Sequence, residues 1–285
     1  MSRRLIADSR VLITGASSGI GAALARTLVE KRARVILLAR RHDRLEQLAN
    51  QLSAESSAQI DLVVGDVTEL EVRERAIETV RERWGELDIL VNNAGVSAHG
   101  RFEEHSAETF RQIMEVNLFA AAELTRLAVP LLRDGRNPTV VNVSSILGHR
   151  GAPLNSEYSA SKFALRGWSE ALRAELASDG INVMLVSPGT TETNFFDSLI
   201  EKNGKLPWGE RKGITPEVVA QQIVAGIEKG RREIFPNWRG HLMVAANRLA
   251  PGLVDRVMKK YGSQAAPAAK PPVEKARRAR TAPLE

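Results

Sequence analysis

Apolar residues along the chain fall into short continuous runs, separated by longer stretches in which they recur every three or four positions. The runs are RVLIT at 10 to 14, ARVILLA at 33 to 39, IDLVV at 60 to 64, DILVN at 88 to 92, TVVNV at 139 to 143 and INVMLV at 181 to 186. They are β-branched or aliphatic and do not alternate with polar residues, so they predict strands of a sheet covered on both faces, as parallel sheets are. A helical pattern follows each run. The first starts near Gly19 and places Ile20, Leu24 and Leu28 on one face. Others are predicted near 43 to 53, 69 to 84, 106 to 132, 157 to 178 and 215 to 229, the last with Thr215 as cap and Pro216 at the first helical position.

This alternation predicts an α/β fold, a single Rossmann-type doubly wound parallel sheet flanked by helices on both faces, with right-handed crossovers. The chain shows no fixed-period repeat and no Pro/Gly-rich linker before about residue 263, so one domain over 1 to 262 is expected. Within it, about 190 to 213 reads as a substrate flap and about 231 to 262 as a C-terminal helical extension. Residues 263 to 285 form a basic Ala/Pro-rich tail.

Composition narrows the chemistry. At 285 residues and 43% hydrophobic content the chain can bury a substantial core. The absence of cysteine excludes disulfides, thiolate nucleophiles and Cys-ligated metals, and no metal-spaced cluster occurs, so no metal is expected. Neither a membrane-spanning run nor a signal-like leader is present in the sequence, which makes a cytoplasmic location the expectation. The net charge of +6 suggests polyanions, but Lys270, Lys275, Arg277, Arg278 and Arg280 against Glu274 and Glu285 give the tail +3, half the excess. The tail therefore reads as a solvated flexible segment, with polyanion binding as the rival reading and no specific nucleic acid expected.

Directly after the first strand comes Thr14-Gly15-Ala16-Ser17-Ser18-Gly19-Ile20-Gly21, then a helix. Glycines there let the backbone turn sharply and approach a pyrophosphate, whose charge suits free N–H groups at a helix N-terminus. The spacing is G-x-x-x-G-x-G, and no Lys-Ser/Thr follows to suggest a P-loop. A tight βα turn without a ligand is the alternative. At the end of strand two, 19 residues past Gly21, stands Arg40 followed by Arg41, where an NAD site usually offers a carboxylate. Guanidinium groups suit a 2′-phosphate, so NADP(H) is favoured over NAD(H) unless the two arginines merely solvate a loop.

Tyr158 and Lys162 stand four residues apart on one face of a predicted helix. An ammonium beside a phenol stabilises phenolate and brings its pKa toward the working range, making Tyr158 a candidate general acid/base. Ser144 and Ser145 both follow strand five, and spacing within the helix does not choose between them.

These segments resemble the short-chain dehydrogenase/reductase family along most of residues 10 to 193: the glycine turn, Asp66-Val67, Asn92-Asn93-Ala94-Gly95, Asn117, Ser145, Tyr158-x-x-x-Lys162, and Pro188-Gly189 with Thr193. The resemblance implies an oxidoreductase acting on CH–OH donors, moving a hydride between NADP(H) and an alcohol or carbonyl. It implies that Gly15, Ser17, Ser18, Gly19, Ile20, Gly21, Arg40 and Arg41 hold the adenosine and phosphate side of the cofactor. Asp66 and Val67 would meet the adenine, with Asn93, Ala94 and Gly95 beside the adenosine. Pro188, Gly189, Thr191 and Thr193 would lie toward the nicotinamide. It selects Ser145, thirteen positions before Tyr158, as the residue orienting the substrate oxygen, leaving Ser144 to support the turn. Lys162 would also hold the nicotinamide ribose, and Asn117 a water linking Lys162 to solvent. A homodimer or homotetramer is implied as well.

The segment after Gly189 carries Phe195, Phe196, Leu199, Ile200, Leu206 and Trp208, read either as a flap favouring a hydrophobic substrate or as its anchor to the core. Ser145, Leu147, Tyr158 and Phe195 are the expected substrate contacts, with His99, Phe102, His149 and Leu154 as further candidates for the wall. Residues 231 to 262 read as an interface or as an amphipathic pair of short helices with weak membrane-surface association. The competing function from another class is a nucleotide-binding sensor or scaffold without turnover.

Overall fold

The computed structural model describes residues 5–193, 199–203 and 213–263. Phe195, Phe196, Leu206 and Trp208 of the expected flap, and residues 264–285 of the expected tail, lie outside the described residues. The strands are β1 (Arg10–Thr14), β2 (Arg34–Ala39), β3 (Ile60–Val64), β4 (Ile89–Asn92), β5 (Thr139–Val143), β6 (Asn182–Val186) and β7 (Glu233–Ile234). All pair in parallel, in the order β3-β2-β1-β4-β5-β6-β7. β7 has two residues, too few to leave a periodic signal in the sequence.

Alternation of side chains buries each strand twice. Val11, Ile13, Val35 and Leu37 point into a core shared with α1 (Gly19–Glu30), α2 (His42–Glu55) and α7 (Pro216–Glu228). Leu12, Ile36 and Leu38 point the other way, into a core built with α3 (Leu70–Trp84) and α5 (Ala120–Arg133). Two-sided burial is why these runs are continuously apolar. α7 begins as its sequence suggests, with Thr215 accepting from the Val218 N–H and Pro216 at the first position. α6 (Ser156–Glu175) carries the Tyr158 and Lys162 pair. α8 (Trp238–Leu249) and α9 (Pro251–Ser263) follow β7.

The long helix expected over 106 to 132 is broken into α4 (Ala107–Met114) and α5 by a π turn at Glu115–Phe119. Val116 and Asn117 within that turn are buried. The extra residue per turn rotates Asn117 inward, a distortion common at functional sites.

At the N-terminal end of the sheet, Arg10 and Asp88 form a two-pronged buried pair with N···O distances of 2.9 and 2.8 Å. Burial pushes the Asp88 carboxyl up, but hydrogen bonds from the Arg10 side chain and from the backbone N–H groups of Arg10 and Arg136 hold it below the ordinary value. Among the described residues, no helix is long and apolar enough to cross a membrane.

Because the folded-state value is depressed, the Asp88 contribution is complete above the unfolded aspartate pKa of about 3.9 and is lost as pH falls through the folded value. Asp88→Asn should therefore lower unfolding free energy by about 3 kcal/mol at pH 7. The gap to the native protein should narrow steadily in urea titrations carried below pH 4; a constant gap would refute the assignment.

Candidate active site

Strand order reverses between β1, followed by β2, and β4, followed by β5, and a crevice opens at the carboxyl ends of the strands there. It forms a cavity of about 700 Å³. One end is the β1–α1 turn. Gly15 has φ +64°, and a Cβ on it would stand 2.9 Å from the Ala94 Cα, so only glycine lets this turn lie against the end of β4. Thr14 and Asn93 stitch the two together: the Thr14 hydroxyl accepts from the Asn93 and Ala94 N–H groups at 2.9 and 3.0 Å. The Asn93 amide donates to the Thr14 and Gly15 carbonyls at 2.9 and 3.2 Å.

Helix α1 starts at this turn with no side-chain cap from Ser18 and no acidic residue in its first turn. Its first N–H groups face the cavity wall formed by Ser17, Ser18, Gly19 and Ile20, the donor set an anionic phosphate requires. Arg41 reaches over the same rim, donating to the Ser17 and Ser18 hydroxyls at 3.0 and 2.7 Å. Burial first, then the neighbouring Arg44 and Arg40, lowers the Arg41 guanidinium pKa. Arg40 pairs with Asp66 at 3.5 Å. Asp66 does not cap α3, whose N-cap is Glu69; its carboxylate accepts from the Thr68 N–H and hydroxyl.

The other end of the cavity holds Ser145, Tyr158 and Lys162. Ser145 stands two residues past β5 and accepts from the Leu147 N–H at 3.1 Å, and its hydroxyl is hydrogen-bonded to the Tyr158 phenol. Ser144 instead donates to the Lys162 carbonyl at 3.2 Å and holds α6 against the turn. Lys162 is buried and donates to the Val143 carbonyl at 2.9 Å. Asn117 accepts from the Val96 N–H at 2.8 Å and donates to the Val96 carbonyl and the Ser161 hydroxyl. It ties the strand-four loop to α6, and a Cβ at Gly95 would stand 3.3 Å from Asn117 Oδ1 and 3.6 Å from Lys162 Nζ.

The expected lowering of the phenol pKa by Lys162 is opposed by burial. Burial pushes Tyr158 up to about 12, opposed by the Ser145 hydrogen bond. Burial also lowers the Lys162 ammonium to about 8. The Lys162 ammonium stands 5.6 Å from the Tyr158 ring centroid.

Of the expected catalytic, cofactor and principal substrate residues, all that are described line the cavity except Gly21 and Asn117, which support it, while Phe195 lies outside the described residues. A Cβ on Gly21 would fall 2.3 Å from the Gly15 carbonyl oxygen, so that glycine is a packing requirement. Leu147 lines the wall. Phe102 instead is 65% exposed, and the Leu154 and His99 side chains do not reach the cavity. His149 is buried against Ser187 and Glu233, 3.0 Å from each, with its ring tilted 51° to that of Phe235.

Sequence reasoning missed the far wall: Arg150, Asn237, Met243, Met258 and Tyr261. α8 comes close because a Cβ at Gly240 would meet Ile146 at 2.7 Å. Arg150 ties both C-terminal helices down, donating to Asn247 at 3.2 Å and pairing with Asp255 at 2.7 Å. Alternating apolar and polar positions from 238 to 262 signal helices but not what they cover.

Residues 9–204 match the family described as short chain dehydrogenase. The ketoacyl reductase HetN of Nostoc sp. is 33% identical over 260 residues, covering 88% of each chain. An alcohol dehydrogenase from the archaeon Thermococcus sibiricus, solved with 5-hydroxy-NADP, is 28% identical over 80% of this chain and 95% of its own, with a TM-score of 0.71. A Burkholderia phymatum short-chain dehydrogenase/reductase solved with NAD reaches a TM-score of 0.81 at 24% identity, over 88% and 96% of the two chains, and shows the common fold.

In a Tyr261→Phe protein Tyr158 is the sole tyrosine. Its phenolate absorbance near 295 nm, read in rapid pH jumps, should rise with a midpoint near 12. A midpoint at or below the free phenol value of about 10 would show that Lys162 dominates over burial.

Proposed function

The chain belongs to the short-chain dehydrogenase family, and from that premise we propose that it is an NADP(H)-dependent oxidoreductase interconverting an alcohol and a hydrophobic ketone or aldehyde, with Tyr158 as general acid/base. The observation that carries this reading is the hydrogen-bonded Ser145–Tyr158 pair, backed by buried Lys162, in the same cavity as the glycine turn. A nucleotide sensor without turnover has no use for a lysine buried at an electrostatic cost beneath a phenol.

The residues fit a dinucleotide. The uncapped N-terminus of α1 supplies N–H donors for the pyrophosphate, and Asp66 and Val67 border the adenosine end of the cavity. When bound, reduced nicotinamide supplies the hydride. Arg41, with Ser17 and Ser18, offers charge-assisted donors where a 2′-phosphate would sit, and no carboxylate follows β2 directly to repel one.

Tyr158 keeps its proton throughout the neutral range, so the phenol donates it to the substrate oxygen as negative charge builds there. Ser145 holds that oxygen in line by a second hydrogen bond. Lys162, still charged at neutral pH, stabilises the phenolate left behind, which places its influence after proton transfer and not before it. Asn117 keeps the Gly95–Val96 backbone and α6 in register around that ammonium. Met243, Met258 and Leu147 give the substrate end an apolar lining, the basis for a hydrophobic substrate.

A panel of ketones and alcohols followed at 340 nm with NADPH and with NADH tests the class and the cofactor together. Tyr158→Phe should cost about 100-fold or more in kcat while leaving NADPH affinity near normal. Turnover at the native rate would overturn the assignment. Arg41→Ala should raise the NADPH KM by about tenfold or more, the loss of one charge-assisted contact, and leave NADH kinetics nearly unchanged. Equal losses with both cofactors would remove the basis for NADP preference.

A further inference from the structure

The outer face of the C-terminal helical pair carries the largest concentration of exposed apolar surface among the described residues. Trp238, Leu242 and Leu249 are 70%, 61% and 87% exposed, and Leu253 and Val257 are 60% and 46% exposed. Helical spacing puts Trp238, Leu242 and Leu249 on one side of α8, opposite buried Gly240 and Val244. Leu253 and Val257 are four apart on α9. The apolar stripe therefore points outward while small and branched residues face the body, the reverse of a helix packed on a globular core.

The flanks of the stripe are cationic. Arg239 and Arg248 lie on α8, and Arg256, Lys259 and Lys260 on α9. Asp255 is the single acidic side chain of the two helices, and it pairs with Arg150 of the body. The Arg239 guanidinium stands 5.7 Å from the Trp238 ring centroid, an aromatic and a cation at one level, as at a membrane interface. The helices have 12 and 13 residues, too short to span a bilayer, but they suit the interfacial plane.

We propose that the outer face of α8 and α9 docks on an anionic lipid bilayer, with Trp238, Leu242, Leu249 and Leu253 entering the headgroup boundary and the arginines and lysines meeting lipid phosphates. Charge decides between the two occupants such a face could take. A second copy docked symmetrically on this face would set the same cations against themselves, whereas an anionic surface complements them. Val257 both borders the cavity and lies on the exposed stripe, so the docked orientation turns the cavity mouth toward the lipid. This seating does not depend on which carbonyl compound the enzyme reduces.

The test is co-sedimentation of the full chain with phosphatidylcholine vesicles, with and without phosphatidylserine. Binding should require phosphatidylserine and weaken with salt. The Leu242→Glu/Leu249→Glu/Leu253→Glu protein should partition about tenfold less or worse, because each burial in the interface is replaced by a like charge to the lipid. Exchanging Lys270, Lys275, Arg277, Arg278 and Arg280 for Gln should leave most binding intact. As a readout insensitive to misfolding of the triple variant, brominated lipids should quench native tryptophan fluorescence, and Trp238→Phe should abolish that quenching. Absence of vesicle binding, binding that depends on the tail cations alone, quenching that survives Trp238→Phe, or a triple variant altered only in oligomeric state would each overturn the proposal.

Discussion

Hydrogen bonds between Thr14 and Asn93 cross the crevice floor where the strand order reverses, and every other part of the site is placed relative to them. β1 and β4 pair as far as Ile13 and Val91 while β1 leads outward to β2 and β4 outward to β5, so the ladder between them stops short of the crevice. The Thr14 hydroxyl and Asn93 amide bridge it, while Gly15 removes the Cβ that would force the turn away from Ala94. The uncapped start of α1 is thereby held facing the cavity, its donors free for a ligand.

A second set of polar contacts holds the Ser145–Tyr158 end. Asn92 donates to Asn142 at 2.8 Å, and Asn142 to Ser169 at 2.8 Å, joining β4, β5 and α6 through the interior. Above this chain Asn117, turned inward by the π segment, bonds both Val96 and Ser161. Hydrogen bonds buried in this way favour one arrangement, because a shift leaves further donors or acceptors unpaired in a low dielectric, as Asn92 Oδ1 already is. That rigidity is what keeps Lys162, whose charged form burial disfavours, close beneath the phenol.

The C-terminal helices then determine the shape of the substrate end. Gly240 allows α8 to pack on the turn bearing Ile146, one residue past Ser145, and Arg150 fastens α8 and α9 through Asn247 and Asp255. On the proposed function, specificity comes from a wall separate from the proton-transfer group, as is usual for sites grafted onto a common fold.

Family resemblance selected Ser145, whereas from the order of residues alone came the six longer strands, the doubly wound architecture, the glycine turn and the Tyr158–Lys162 pair. Each is encoded locally, by two-sided burial of a strand, by glycine at a turn, or by spacing on one helix. Tertiary structure decided the rest. Whether Asn117 reaches inward depends on a π turn, the phenol pKa on how deeply it is desolvated, and the two-residue β7 on a neighbour to pair with. The role of residues 238 to 263 likewise rests on contacts with Ile146 and Arg150, nearly a hundred positions earlier. Such properties arise from groups brought together across the chain, and local periodicity carries no record of them.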